Sequence, residues 1–261
     1  SDATVHRNQQ RVHLRGWATP AALSAGLVLI LSLGYPLAVV AGWSFVGRSA
    51  GIDWPDLASA AWSTVWICTV AAAVIVLVCL PVGWLTGRSQ SRASAWTQHS
   101  LYVAHALPGL VVALALVFFS VRFLEPWYQR VPVLILAYLV LFAPLAVGSI
   151  RSAVLQSSPA LEDVSGTLGL APVATFLRVT LPLAMPGVLS GFVLVLLTAM
   201  KELPATLLLK PTGVDTLATR LWMHTDNLSY AAAAPYGVAL VLTAILATLA
   251  LTLTERGRRT P

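Results

Sequence analysis

The stretch SSPALEDVSGTLGLAPVATFLRVTLPLAMPG, Ser157 to Gly187, decides how the rest of the chain is read. Ser158 is placed to cap a helix that has Pro159 at its first position. Glu162 and Asp163 fall in the early turns, where carboxylates suit the positive end of the helix dipole. Gly169 suits the left-handed residue that ends such a helix. Pro172 then opens a second short helix, and Pro182 is expected to stop it before the next apolar run. Leu161, Val164 and Leu168 share one face of the first helix, and Phe176 and Val179 give the second an apolar surface. An apolar stripe of this kind wants a groove or a membrane surface to lie in. Membrane-surface helices carry Lys and Arg on the polar face, whereas this one carries Glu162 and Asp163, so a protein partner is expected.

The chain around this stretch is 57% hydrophobic and 10% charged, with mean hydropathy +0.80. Soluble proteins carry about 25% charged residues. A spanning helix needs about 20 mostly apolar residues. Six segments qualify: Thr19–Val46, Ala61–Thr86, His99–Val121, Val131–Ile150, Gly187–Leu209 and Ala232–Thr254. The expected fold is therefore an all-α membrane protein with six transmembrane helices. The first segment is too long for a cleaved signal peptide and has no clear small-residue cleavage site.

Basic residues in the connections orient the bundle. With the N-terminus in the cytoplasm, ten of the sixteen Lys and Arg and four of the ten Asp and Glu fall on the inner side. The whole net charge of +6 then lies on the cytoplasmic face, with both termini and the Arg151–Pro186 loop. The basic tails HRNQQRVHLR and ERGRRTP read as topology determinants, not as nucleic-acid arms. Cys68 and Cys79 lie on one helix about 16 Å apart along its axis, too far to bridge. No Cys/His cluster has metal-site spacing. No G-x-S-x-G, H-E-x-x-H or P-loop is present, so neither enzymatic chemistry nor nucleotide binding is expected of this chain.

Pro36, Pro81, Pro108, Pro144 and Pro204 fall within or near five spans. They suit broken, movable helices, but proline is also commoner in membrane helices generally. The fifth span carries Lys201, Glu202 and Pro204. From Gly187 to Met200 it is roughly 21 Å long, short of a hydrocarbon core of about 30 Å. Either the helix continues through the charged pair, or it stops there and the rest re-enters as loop. Ionisable groups at such depth face a bundle interior or a cavity, so Lys201, Glu202 and Pro204 are candidates for lining a hydrophilic path, the alternative being a buried structural ion pair or a helix end meeting water. Lys201 and Glu202 point about 100° apart and do not pair with each other. Gly187 and Gly191 form a G-x-x-x-G that would allow close helix approach.

The loop resembles the EAA loop of type I ABC importer permeases. That motif runs E-A-A, three residues, G, nine residues, I-x-L-P. Here Asp163-Val164-Ser165 stands in place of E-A-A. Gly169 follows after three residues, and Val179-Thr180-Leu181-Pro182 after nine more. Asp for Glu is a departure, and Glu162 is placed to share the polar contact. The resemblance implies the type I ABC importer transmembrane domain with cytoplasmic coupling helices. In it, Glu162, Asp163, Leu168, Gly169 and Pro182 would form the joint to a dimeric ABC ATPase.

LYVAHALPG, ALPGLVVALALVFF and KELPATLLLKPTGVDTLATRLW look like the C-terminal half of ferric-iron ABC permeases. The resemblance implies a multi-pass protein of the bacterial inner membrane, working with a second six-span half, fused or separate. An extracytoplasmic binding protein would deliver ferric iron, and ATP and magnesium would bind the partner ATPase. Thiamine, polyamine or phosphonate permeases are alternatives of similar build, and a secondary transporter or channel is a more distant one. The expected division is a tail or inter-half linker over 1–18, a six-span domain over 19–256 with its coupling loop at 151–186, and a tail over 257–261. Lys210, Asp215 and Arg220, in the outer connection, are placed either to meet the binding protein or simply to be solvated.

Overall fold

The computed structural model describes residues 17–46, 51–89 and 91–257, all of them helical or in short connections. The proposed tail 1–18 therefore lies almost wholly outside the described residues, as do positions 258–261. The helices are α1 (Ala18–Leu29), α2 (Tyr35–Val46), α3 (Trp54–Arg88), α4 (Arg92–His105), α5 (Gly109–Phe123), α6 (Val131–Gln156), α7 (Pro159–Thr167), α8 (Pro172–Thr175), α9 (Leu181–Met200), α10 (Pro204–Leu209), α11 (Leu217–Asp226) and α12 (Tyr230–Gly257). Among the described residues, five helical runs are long and apolar enough to cross a membrane, and a sixth crossing arises if α4 and α5 count as one broken span.

Helix α6 is the centre of the bundle. It packs against α3 on one side and α9 on the other, with Leu134, Ala137, Tyr138, Ala146 and Ile150 at most 1% exposed. Two glycine notches bring its neighbours close. A Cβ on Gly187 of α9 would lie 2.2 Å from Ala153 Cβ, and one on Gly191 would lie 3.2 Å from Ser149 Cβ. The expected G-x-x-x-G thus seats α9 on α6. A second such pair, not singled out in the sequence, sits on α3. There a Cβ on Gly83 would lie 2.6 Å from Ile150 Cγ2, and one on Gly87 would lie 2.8 Å from Val154 Cγ1. Cys68 and Cys79 are buried free thiols on α3.

Three sequence expectations need correction. The third span is not one helix over His99–Val121. The axis bends by 97° between α4 and α5, with Pro108 at the N-cap of α5 in extended conformation. The fifth span does not keep the bounds Gly187–Leu209: α9 ends at Met200 with Lys201 as its C-cap, the alternative in which the helix stops at the charged pair. It reaches spanning length from the other end: Pro172–Met200 is one apolar helical run of 29 residues. Pro182 does not stop the preceding helix either. It lies in the first turn of α9, and a π-helical turn over Phe176–Thr180 joins α8 to α9. A proline in a helix removes one N–H bond, and a π turn is a local way of absorbing such a mismatch.

The first span contains a π turn over Ile30–Gly34 between α1 and α2. Helix α2 packs on α12, where Trp43 and Tyr230 meet with ring centroids 5.4 Å apart, while α1 has no buried residue.

Candidate functional site

The C-terminal ends of α3 and α6 converge on α7, and one carboxylate holds them together. Glu162 Oε1 accepts from Arg88 Nε at 2.9 Å and from Thr180 Oγ1 at 2.6 Å. Arg88 also donates through Nη1 to the Ser157 carbonyl at 3.0 Å and through Nη2 to Ser157 Oγ at 2.6 Å. The Arg88 and Glu162 side chains are only 16% and 19% exposed, so the pair is shielded from solvent and each oxygen contact is charge-assisted. The cluster fastens four elements: the end of α3, the end of α6, the start of α7 and the π turn before α9.

The turn after α7 forms as its sequence implies. Gly169 has φ +83°. Leu170 N–H donates to the Ser165 carbonyl and Gly169 N–H to the Gly166 carbonyl, the pairing of a Schellman turn. Ser165 Oγ and Thr175 Oγ1, 2.8 Å apart, fasten α7 to α8. Ser158 occupies the N-cap position, but its side chain makes no capping bond. The outer face of α7 is apolar, with Leu161 46%, Val164 56% and Leu168 78% exposed. On the second helix the apolar surface differs from the one expected. Phe176 turns inward onto Trp84, ring centroids 5.0 Å apart, and Val173 and Leu177 are the exposed residues.

Of the predicted joint residues, Glu162 accepts within the chain from Arg88 and Thr180. Asp163 is exposed, and Pro182 acts within the α9 helix. Arg88 and Thr180 were not singled out in the sequence. The available signal was a lone arginine closing one apolar segment and a lone glutamate opening the loop, 74 residues later.

The predicted path residues lie at the opposite end of α9. Lys201 is exposed at its C-cap, and Pro204 begins α10. Glu202 is partly buried, and its Oε1 accepts from Ala205 N–H at 3.3 Å. Helix α10 is anchored on α6 by a 2.6 Å hydrogen bond between Tyr138 and Thr206. Beyond it, the charges that were read as solvated or partner-facing form a chain among themselves. Lys210 pairs with Asp215, Asp215 with Arg220, and Arg220 with Asp56, which also accepts from Tyr236 OH. This chain links the α10–α11 connection to α11, the start of α3 and α12.

Between α6, α9 and the start of α7 lies a groove of about 680 Å³. Ser149, Ser152, Gln156, Ser158 and Ser190 line it, together with Leu161, and no charged residue does among those described. Among the described residues no three His, Cys, Asp or Glu side chains gather as a metal site.

Residues 79–260 match the family described as binding-protein-dependent transport system inner membrane component. The chain belongs to this family. It is the permease component of an ABC transporter, not the ATPase. The permease is 40% identical over 218 residues, 82% of its length, to the Fe(3+)-transport system permease protein FbpB 2 of Haemophilus influenzae, and spans 43% of that relative. It is 28% identical over 77% of its length to a putative 2-aminoethylphosphonate transport system permease protein, PhnV, of Salmonella typhimurium, covering 75% of it. Two solved ABC transporters share the fold. One is a bacterial alginate transporter complexed with its alginate-bound periplasmic protein, at TM-score 0.71 and 17% identity over 94% of the permease and 95% of that chain. The other is the methionine transporter MetNI in inward-facing conformations, at TM-score 0.62 and 20% identity over 77% of the permease and 95% of that chain.

Proposed function

We propose that this permease forms part of the membrane path of an ATP-driven importer for ferric iron. A second six-span half completes the path, an extracytoplasmic binding protein delivers the ion, and an ATPase dimer on the cytoplasmic side holds the ATP and magnesium. The cargo reading rests on the 40% identity to the ferric-iron permease. The single structural observation that supports an ATPase joint is the Arg88–Glu162–Thr180 clamp beneath the exposed apolar face of α7. A short helix fixed at its inner side and apolar at its outer side is built to seat in a groove and to transmit force. The coupling loop is then 151–186, with Glu162 and Gly169 setting its shape, Leu168 its contact surface, and Pro182 the entry into α9. Lys201, Glu202 and Pro204 belong to the extracytoplasmic end of the path. The serine-lined groove between α6 and α9 belongs to its cytoplasmic half.

Transport in proteoliposomes carrying the complete permease, its ATPase and its binding protein tests the cargo. ATP-dependent accumulation of radioactive iron is expected. Accumulation of 2-aminoethylphosphonate instead would support the second reading, which the PhnV relative favours. The joint is tested by Gly169→Val. A β-branched residue at φ +83° is strained by about 1–2 kcal/mol, enough to reshape the turn. Cargo-stimulated ATP hydrolysis is expected to fall roughly ten-fold, with the permease still in the membrane. Unchanged stimulation would remove Gly169 from the joint.

A further inference from the structure

One span of this bundle is broken between α4 and α5, and the connection that ends another span touches that break. The break between α4 and α5 ends at Pro108 and Gly109, and the connection between α9 and α10 contains Lys201, Glu202 and Leu203. Helices α5 and α10 pack on each other. At the contact, a Cβ on Gly109 would lie 2.7 Å from Glu202 Oε1 and 3.5 Å from its carboxyl carbon. Gly109 therefore leaves the space that the carboxylate occupies. The same oxygen accepts from Ala205 N–H in the first turn of α10. Pro108 provides no side-chain cap for α5, and in α5 the earliest N–H groups to find backbone partners are those of Val111 and Val112, which donate to the Pro108 carbonyl. A carboxylate beside Gly109, the first residue of a 15-residue helix, is attracted to the positive end of that helix.

We infer that Glu202 is a positioning residue of the transport cycle, whose carboxylate locks the α9–α10 connection onto the α4–α5 break so that the end of the fifth span and the broken third span move as one. The charge serves this role better than it would serve as a cargo ligand, because a helix N-terminus repels a cation where it attracts Glu202. The inference rests on the importer reading for its place in a cycle, but the lock itself is a property of this chain.

The test uses a reporter cysteine in the α4–α5 break, Leu107→Cys, since Leu107 is 44% exposed and both native cysteines are buried. Its rate of modification by a membrane-impermeant thiol reagent is measured in the complete permease with its ATPase. Glu202→Gln removes the charge while keeping the shape, and Gly109→Ala displaces the carboxylate while keeping the charge. Each is expected to raise the rate roughly ten-fold, the factor reached when one partly buried charge–helix contact is lost. The double variant is expected to match either single one, because both remove the same contact. Glu202→Asp is expected to fall between wild type and Gln. ATP hydrolysis without binding protein is expected to rise in parallel. Wild-type labelling in Gly109→Ala or Glu202→Gln, recovered at normal membrane levels, would overturn the lock, as would additive effects in the double variant. Should Glu202→Gln not accumulate, Gly109→Ala alone decides. Increased labelling with no linked ATPase response would leave the lock standing and count against the importer reading.

Discussion

Replacing Glu162 with alanine is expected to abolish cargo-stimulated ATP hydrolysis and to destabilise the permease by about 3 kcal/mol, the cost of breaking one side of a shielded ion pair. The size follows from what is left behind. Arg88 keeps Ser157 as a partner but loses the acceptor at its Nε, and Thr180 loses the acceptor of its hydroxyl. Helix α7 then stays attached to the bundle chiefly through its chain ends and the Ser165–Thr175 contact. Glu162→Gln retains an oxygen for Thr180 and is expected to lose less. Asp163→Asn, one residue away and exposed, is expected to change stability by under about 0.5 kcal/mol. Thermal unfolding of the detergent-solubilised permease and the ATPase assay together separate the two carboxylates. Equal effects at both positions would contradict the assignment of the contact to Glu162.

The second large effect is expected at Gly187. Its missing side chain lets α9 rest on α6 with Ala153 Cβ 2.2 Å and the Ser149 carbonyl oxygen 2.9 Å from the place of a Cβ. The Ser149 contact is to backbone, which cannot rotate away. Gly187→Val therefore forces the helices apart along the buried centre of the bundle, at a cost of about 3 kcal/mol or more. Gly191→Ala, whose Cβ would meet Ser149 Cβ at 3.2 Å, is expected to be milder. Gly148→Ala, with nothing within 4 Å, is expected to be tolerated. Membrane yield and resistance to protease give the ranking, and a tolerated Gly187→Val would rule out this close packing of α9 on α6.

Local chemistry was readable in the sequence because it is written in adjacent residues. Gly169 in the Schellman turn, Pro159 at the start of α7 and the apolar stripe of Leu161, Val164 and Leu168 all stand where the spacing put them. Four of the six apolar segments fall within helical runs of spanning length, and the fifth overlaps one whose bounds moved. The breaks were harder to read. Pro81 and Pro144 sit inside unbroken helices, whereas Pro108 sits at a bend of 97°. Nothing in the proline itself distinguishes them. At that bend the neighbouring Gly109 admits the side chain of Glu202, almost a hundred positions away. The clamp and the ion chain were hidden for the same reason. Arg88 and Glu162 are separated by 74 residues, and Asp56 and Arg220 by 164. Charge counting placed the members of each pair at the same end of the bundle but could not pair them.

Helix α3 has 35 residues, which at 1.5 Å each makes a rod about 52 Å long. The hydrocarbon it crosses is about 30 Å thick, so the rod projects from both sides even when tilted. Arg88 closes one projecting end and Asp56 lies in the first turn of the other. Each is bound to a different part of the chain, Glu162 in one case and Arg220 in the other. An α-helix is stiff along its axis, so a piston-like shift of α7 that drags Arg88 must also pull on the ion chain at the far surface. The two ends of the bundle are thereby joined by one continuous helix.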